Sequence, residues 1–149
     1  MLEERISLDD DADVVAAWKA ALKLGRGIGL GVFNQACLSA AVLELCRQVV
    51  ERGGHGRCAL ADQSDGASLR ARVVVEGCPA ELLSGGKSRF SREINIGPSL
   101  PAVRLHQVAE SLHAEPAGDG CRLTMTIQQS RAARPAPRRP SAAVPERRR

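Results

Sequence analysis

The sequence predicts an α/β protein, a two-layer sandwich in which helices cover one face of a mixed sheet. Three observations carry this. Two early segments repeat apolar residues at helical spacing, the apolar period falls from about 3.6 to 2 beyond Arg57, and the chain then returns to a helical pattern and a last alternating run. At 149 residues, 44% of them hydrophobic, there is enough material for a single core.

Arg5 to Leu8 reads as a short strand. Asp9, Asp10, Asp11 and Asp13 follow, and their carboxylates suit a helix start through capping and the macrodipole. Val14, Val15, Trp18, Ala21 and Leu22 place one stripe of that helix inward, with an end expected near Gly25. The run GRGIGLG from Gly25 to Gly31 is expected to be an inter-helix loop. It is not GxGxxG, since Leu30 or Val32 stands where the third glycine belongs, and no strand precedes it. A second helix is expected from Val32 to Glu51, burying Leu38, Ala41, Val42, Leu45 and Val49, with Gly53 and Gly54 beyond its end.

Arg57 to Asp62 and Ser68 to Val75 alternate as two strands around a turn containing Asp65-Gly66, a hairpin signal. Glu76 to Pro98 has no sustained period and reads as a long loop, the kind that often carries function. A third helix is expected from Leu100 to His113, with Val103, Leu105, Val108, Ala109 and Leu112 apolar, before a last strand from Cys121 to Gln128.

The net charge of +4 is unevenly placed. Residues 131–149 hold seven arginines and one glutamate, a balance of +6, which leaves −2 for residues 1–130. The segment RAARPAPRRPSAAVPERRR is rich in Pro, Ala and Arg with little to bury, so two regions are expected, a folded domain at 1–130 and a disordered tail at 131–149. Such a tail could attract nucleic acid or an anionic surface, but it has no aromatic residue for base stacking, and a solvated tail is the preferred reading. No stretch approaches the roughly 18 apolar residues of a membrane span, and the acidic N-terminus differs from a signal peptide. The expected location is the cytoplasm. Five cysteines, odd in number and without CxxC spacing, read as small buried hydrophobes in a reducing cell.

Two motifs fail on inspection. SGGKS from Ser84 to Ser88 lacks the earlier P-loop glycine, since Glu81 stands there. His55, His106 and His113 have no partner at ligand spacing and read as surface residues.

Two strings then carry a family resemblance. In NQACLSAAVLELCRQVV, Gln35, Ala36, Ala41, Val42, Glu44, Leu45 and Arg47 resemble the second helix of the anti-sigma regulatory factors and serine/threonine switch kinases, members of the GHKL (histidine-kinase-like, Bergerat-fold) ATPases. In FSREINIGPSLPAVRL, Phe90, Ser91, Gly97, Leu100, Pro101, Val103 and Arg104 resemble that family's lid and following helix. The likeness spans roughly Arg5 to Gln128.

What the resemblance implies is an ATP and magnesium site. Glu44 would be the general base, and Gln48, where the family has asparagine, would be the metal ligand. Magnesium demands near-ideal octahedral geometry, so the longer amide weakens such a site. Glu76 would accept from adenine in place of aspartate, Pro79 matches the following loop, and Cys78 and Ala80 replace its glycines. In the lid Gly97 is kept, while Glu93, Asn95 and Ser99 replace glycines and Pro98 removes an amide donor. These losses point to weak or absent ATP binding in a regulator that keeps its docking surface.

The implied partner is a STAS-domain antagonist or a sigma factor, with a homodimer left open. The alternatives are an active ATP-dependent serine kinase, transferring the γ-phosphate to a serine of that antagonist with Glu44 activating the hydroxyl, and a basic-tailed nucleic-acid accessory protein.

Overall fold

Asp10 starts the first helix by the chemistry its sequence suggests. Its carboxylate accepts from the Asp13 amide at 3.1 Å while Asp13 accepts from the amides of Asp9 and Asp10, a reciprocal capping box. In a computed structural model, described over residues 3–83, 93–96 and 101–131, this helix, α1 (Asp11–Ile28), follows strand β1 (Glu3–Leu8) and precedes α2 (Val32–Glu51). Strands β2 (Gly56–Asp62) and β3 (Ser68–Cys78) come next, then a 3-10 turn (Ala80–Leu83). The remaining described elements are β4 (Glu93–Ile94), β5 (Val103–Arg104), the one-turn helix α3 (Leu105–Val108), β6 (Ser111–Ala117) and β7 (Gly120–Ser130).

The sheet runs β1-β2-β3-β7-β6, with β4 and β5 as a separate pair. All four pairings in the larger sheet are antiparallel, so the expected α/β sandwich has an antiparallel sheet rather than a mixed one. Alternation gives the sheet an inner face of Leu60, Val73, Val75, Leu123, Met125 and Ile127, all buried, and an outer face bearing polar residues. Leu38, Val42, Leu45 and Val49 of α2 close the core from the helical side.

The glycine run is not a loop from its start. Helix α1 continues through Gly25 and Gly27 and ends at Gly29, which takes φ +92° and donates its amide to the carbonyls of Gly25 and Arg26. Gly25 is a packing residue: a Cβ there would lie 3.3 Å from Gln35 Cγ. With Ala17 and Ala21 it forms a stripe of small buried residues where α1 meets α2.

The expected third helix is also corrected. Among the described residues of that stretch only Leu105–Val108 is helical, and Ser111–Ala117 is an edge strand paired with β7. Leu112 suits an inward position under either period, so local pattern did not decide. Hydrogen bonding to the exposed side of β7 did, across a two-residue turn at Gly118 and Asp119 in which Gly118 takes φ +62°. Pro116 is tolerated because β6 is an edge. The expectations for Ser84 to Ser88, for the lid residues Phe90, Ser91, Gly97, Pro98 and Ser99, and for the tail beyond Arg131 lie outside the described residues.

Candidate functional site

Helix α2 brings the two expected catalytic positions to one surface because residues four apart share a face. Glu44 and Gln48 line a cleft of about 380 Å³, one turn before Glu51 and Arg52. Pro79 and the 3-10 turn form the opposite wall through Glu81 and Leu82, and Ile94 and Leu105 supply apolar cover. The cleft therefore unites Glu44, Gln48 and Pro79 from separate elements.

Inside it, Glu44 is already engaged. Its side chain is only 12% exposed, and its carboxylate accepts from Arg47 at 2.5 Å and from the Gln48 amide at 3.0 Å. Arg47 also reaches Glu51 at 3.7 Å, and Arg52 sits 3.5 Å from Glu81. Among the described residues, Glu44, Glu51 and Glu81 bring three carboxylates to the cleft, the first two paired with Arg47 and the third with Arg52.

Glu76 is not in this cleft. Strand alternation sends Val75 to the core and Glu76 to the outer face, where it pairs with Arg57 at 3.0 Å and Arg122 at 3.4 Å. Arg122 continues to Glu115 at 3.4 Å, so four adjacent strands carry alternating charges across the sheet. The expected adenine acceptor thus lies on the outer sheet face and is not among the residues lining the cleft of Glu44 and Gln48. A bulge follows at Gly77, φ +94°, and it returns Cys78 to the core.

This end of the sheet is unusually close-packed. A Cβ on Gly56 would fall 2.1 Å from the Glu76 carbonyl oxygen, and one on Gly120 would fall 2.6 Å from that of Cys78. The role of these glycines is backbone approach between neighbouring strands.

Sequence reasoning missed a thiol row. All five cysteines are buried and free. Four of them, from four different elements, are neighbours: Cys46 lies beside Cys58, and Cys78 beside Cys121, its partner across β3 and β7, while the Cys78 thiol donates to the Val75 carbonyl at 3.7 Å and that of Cys121 to the Pro79 carbonyl at 3.3 Å. Burial and then the Cys121 thiol push Cys78 up to about 12, burial alone raises Cys37 to about 11, and the neighbouring Cys58 thiol together with burial raises Cys46. Such thiols are neutral and poorly nucleophilic at pH 7. Only chain topology could have revealed this row, since the cysteines have no telling spacing.

With this geometry in view, one curated relative bears on it. The chain is distantly similar to a kinase. It is 26% identical over 112 residues to the serine/threonine-protein kinase RsbT of Bacillus subtilis (strain 168), covering 72% of this chain and 83% of RsbT. No family model matches.

A magnesium-bound triphosphate would be held here through the Gln48 Oε1, since the amide N–H is donated to Glu44, and magnesium needs few protein ligands when phosphates and water complete its shell. Among the described residues the carboxylates of Glu44 and Glu51 are paired with Arg47 and that of Glu81 with Arg52. Among the described residues no helix is long and apolar enough to cross a membrane.

Proposed function

We propose that this protein is a cytoplasmic regulator of the anti-sigma and switch-kinase type, of the GHKL fold, which binds a STAS-domain antagonist or a sigma factor and whose ATP binding is weak or lost. Distant similarity to a serine/threonine-protein kinase supports the lineage. The observation that supports the impairment is the engagement of Glu44, whose carboxylate accepts from both Arg47 and the Gln48 amide and is thereby less available as a base. Docking would use the α2 and cleft surface. Pro79 and the apolar residues Leu82 and Leu105 keep a recess there that side chains of a partner could fill.

An active serine kinase is the second reading, favoured by the retention of Glu44 on the cleft wall beside Pro79. Calorimetric titration of the full chain with ATP, with and without magnesium, separates the two. The regulator reading expects no magnesium-dependent heat below about millimolar nucleotide, a binding free energy weaker than about 4 kcal/mol. Magnesium-dependent binding in the micromolar range, with phosphate transfer to a STAS-domain protein, would sink it. A titration with candidate STAS-domain proteins and sigma factors tests the docking half separately.

A further inference from the structure

At the end of the sheet away from Cys78 and the cleft, a second groove of about 530 Å³ runs between α1 and the edge strand β1. Its floor is apolar, made by Ala20, Leu24, Ile28 and Leu60. Its rim is acidic, with Glu3, Glu4 and Asp62 against Lys23. Glu4 and Lys23 make no ion pair with other described residues.

The chain leaves the sheet beside this groove. The amide of Arg131 donates to the Ala67 carbonyl at 3.1 Å and its Nε donates to the Asp65 carbonyl at 2.7 Å. That places it on the β2–β3 turn, whose Asp62 and Ser64 are themselves groove residues. The Ser64 hydroxyl and amide hold the Asp62 carboxyl below its ordinary range, and the Arg131 charge adds to the effect, so the rim already attracts the first arginine of the segment.

Residues 132–149 contain six arginines and one glutamate, with prolines at Pro135, Pro137, Pro140 and Pro145. We propose that this C-terminal segment docks in its own chain's groove, laying its prolines on the Leu24, Ile28 and Leu60 floor and its arginines on the Glu3, Glu4 and Asp62 rim. Proline-rich chain favours an extended left-handed helix rising about 3.1 Å per residue, a form that fills apolar grooves at low entropic cost. Two or three residues suffice to reach the Ser64 lip from Arg131, and tethering supplies an effective concentration of roughly millimolar, so modest contacts are enough. The acidic cleft at Glu44 is the poorer host, because β7 runs some 35 Å from its start beside Cys78 to Arg131, at about 3.3 Å per residue.

The test is paramagnetic broadening. A nitroxide is placed on Ser141→Cys, which is selective because the five native cysteines are each no more than 1% exposed. Docking predicts severalfold loss of amide peak intensity at Leu24, Ile28 and Leu60, independent of protein concentration. The loss should be reversed by about 0.5 M salt, where the screening length is only a few ångströms, and by Arg138→Glu with Arg139→Glu in the segment. Those two substitutions touch none of the residues that build the core, so they report on docking even if a groove variant such as Glu4→Lys with Asp62→Asn fails to fold. Unchanged intensities, broadening centred on the Glu44 cleft or on the outer sheet face, or broadening that grows with protein concentration would each overturn the proposal.

Discussion

Gln48 Nε2 lies 3.0 Å from Glu44 Oε2, so the residue whose amide oxygen is expected to hold a metal ties down, through its N–H, the carboxylate expected to be the base. Side chains four apart on a helix meet readily, and the extra methylene of glutamine is what lets this amide reach back along α2. Gln48→Asn should shorten that reach, remove one of the two donors on Glu44 while Arg47 stays, and restore the amide length that the resemblance associates with the metal position. The expected outcome is a severalfold gain in magnesium-dependent ATP affinity, read by calorimetry, at a stability cost of about 1 kcal/mol or less for the lost hydrogen bond.

Glu76→Ala gives the opposite pattern. Its carboxylate bridges Arg57 and Arg122 on the outer sheet face, with about a third of the side chain exposed to screening solvent. Removal should cost under about 1 kcal/mol in urea denaturation, and leave nucleotide or partner titrations unchanged. A selective loss of nucleotide binding would show that Glu76 reaches the cleft after all.

The strand-end glycines predict a sharp contrast. Gly56→Ala places a methyl where the Glu76 carbonyl oxygen stands, 2.1 Å away, which neighbouring backbone cannot relieve without parting β2 from β3. A loss of about 3 kcal/mol or more in denaturation midpoint analysis is expected. Gly66→Ala, in open space on the β2–β3 turn, should stay within about 0.5 kcal/mol of the parent.

The thiol row predicts an alkaline weakness. Folding raises Cys78 to about 12 and Cys37 to about 11 from the 9.0 of an exposed thiol, so above pH 9 the unfolded chain ionises first and binds fewer protons than the native state. Their contribution is fully present below pH 9 and is lost as pH rises from 9 through 11 and 12. Urea midpoints at pH 7, 9 and 10.5 should hold between the first two and fall at the third. Cys78→Ala together with Cys37→Ala should flatten that fall.

Much of the fold was legible locally. Apolar periodicity and a glycine-led start set α2 at Val32–Glu51, and Asp65-Gly66 marked the β2–β3 hairpin, because these elements agree with their own side-chain pattern. The α1 terminus was not legible. Gly25 and Gly27 look like helix breakers until α2 lies against them, when the missing Cβ becomes a packing advantage.

For the site, sequence by itself determined that Glu44 and Gln48 share a helical face and that Pro79 follows a strand, which suffices to bring all three to one cleft once the layers stack. Tertiary structure decided the rest. Pairing with β7 turned Ser111–Ala117 into a strand although its apolar spacing also suited a helix. Sheet register put Glu76 on the far face, and strand order gathered Cys46, Cys58, Cys78 and Cys121. The physical reason is that helical and strand periods fix which way a side chain faces along its own element, whereas its neighbours come from hydrogen-bonded partners far away in the chain.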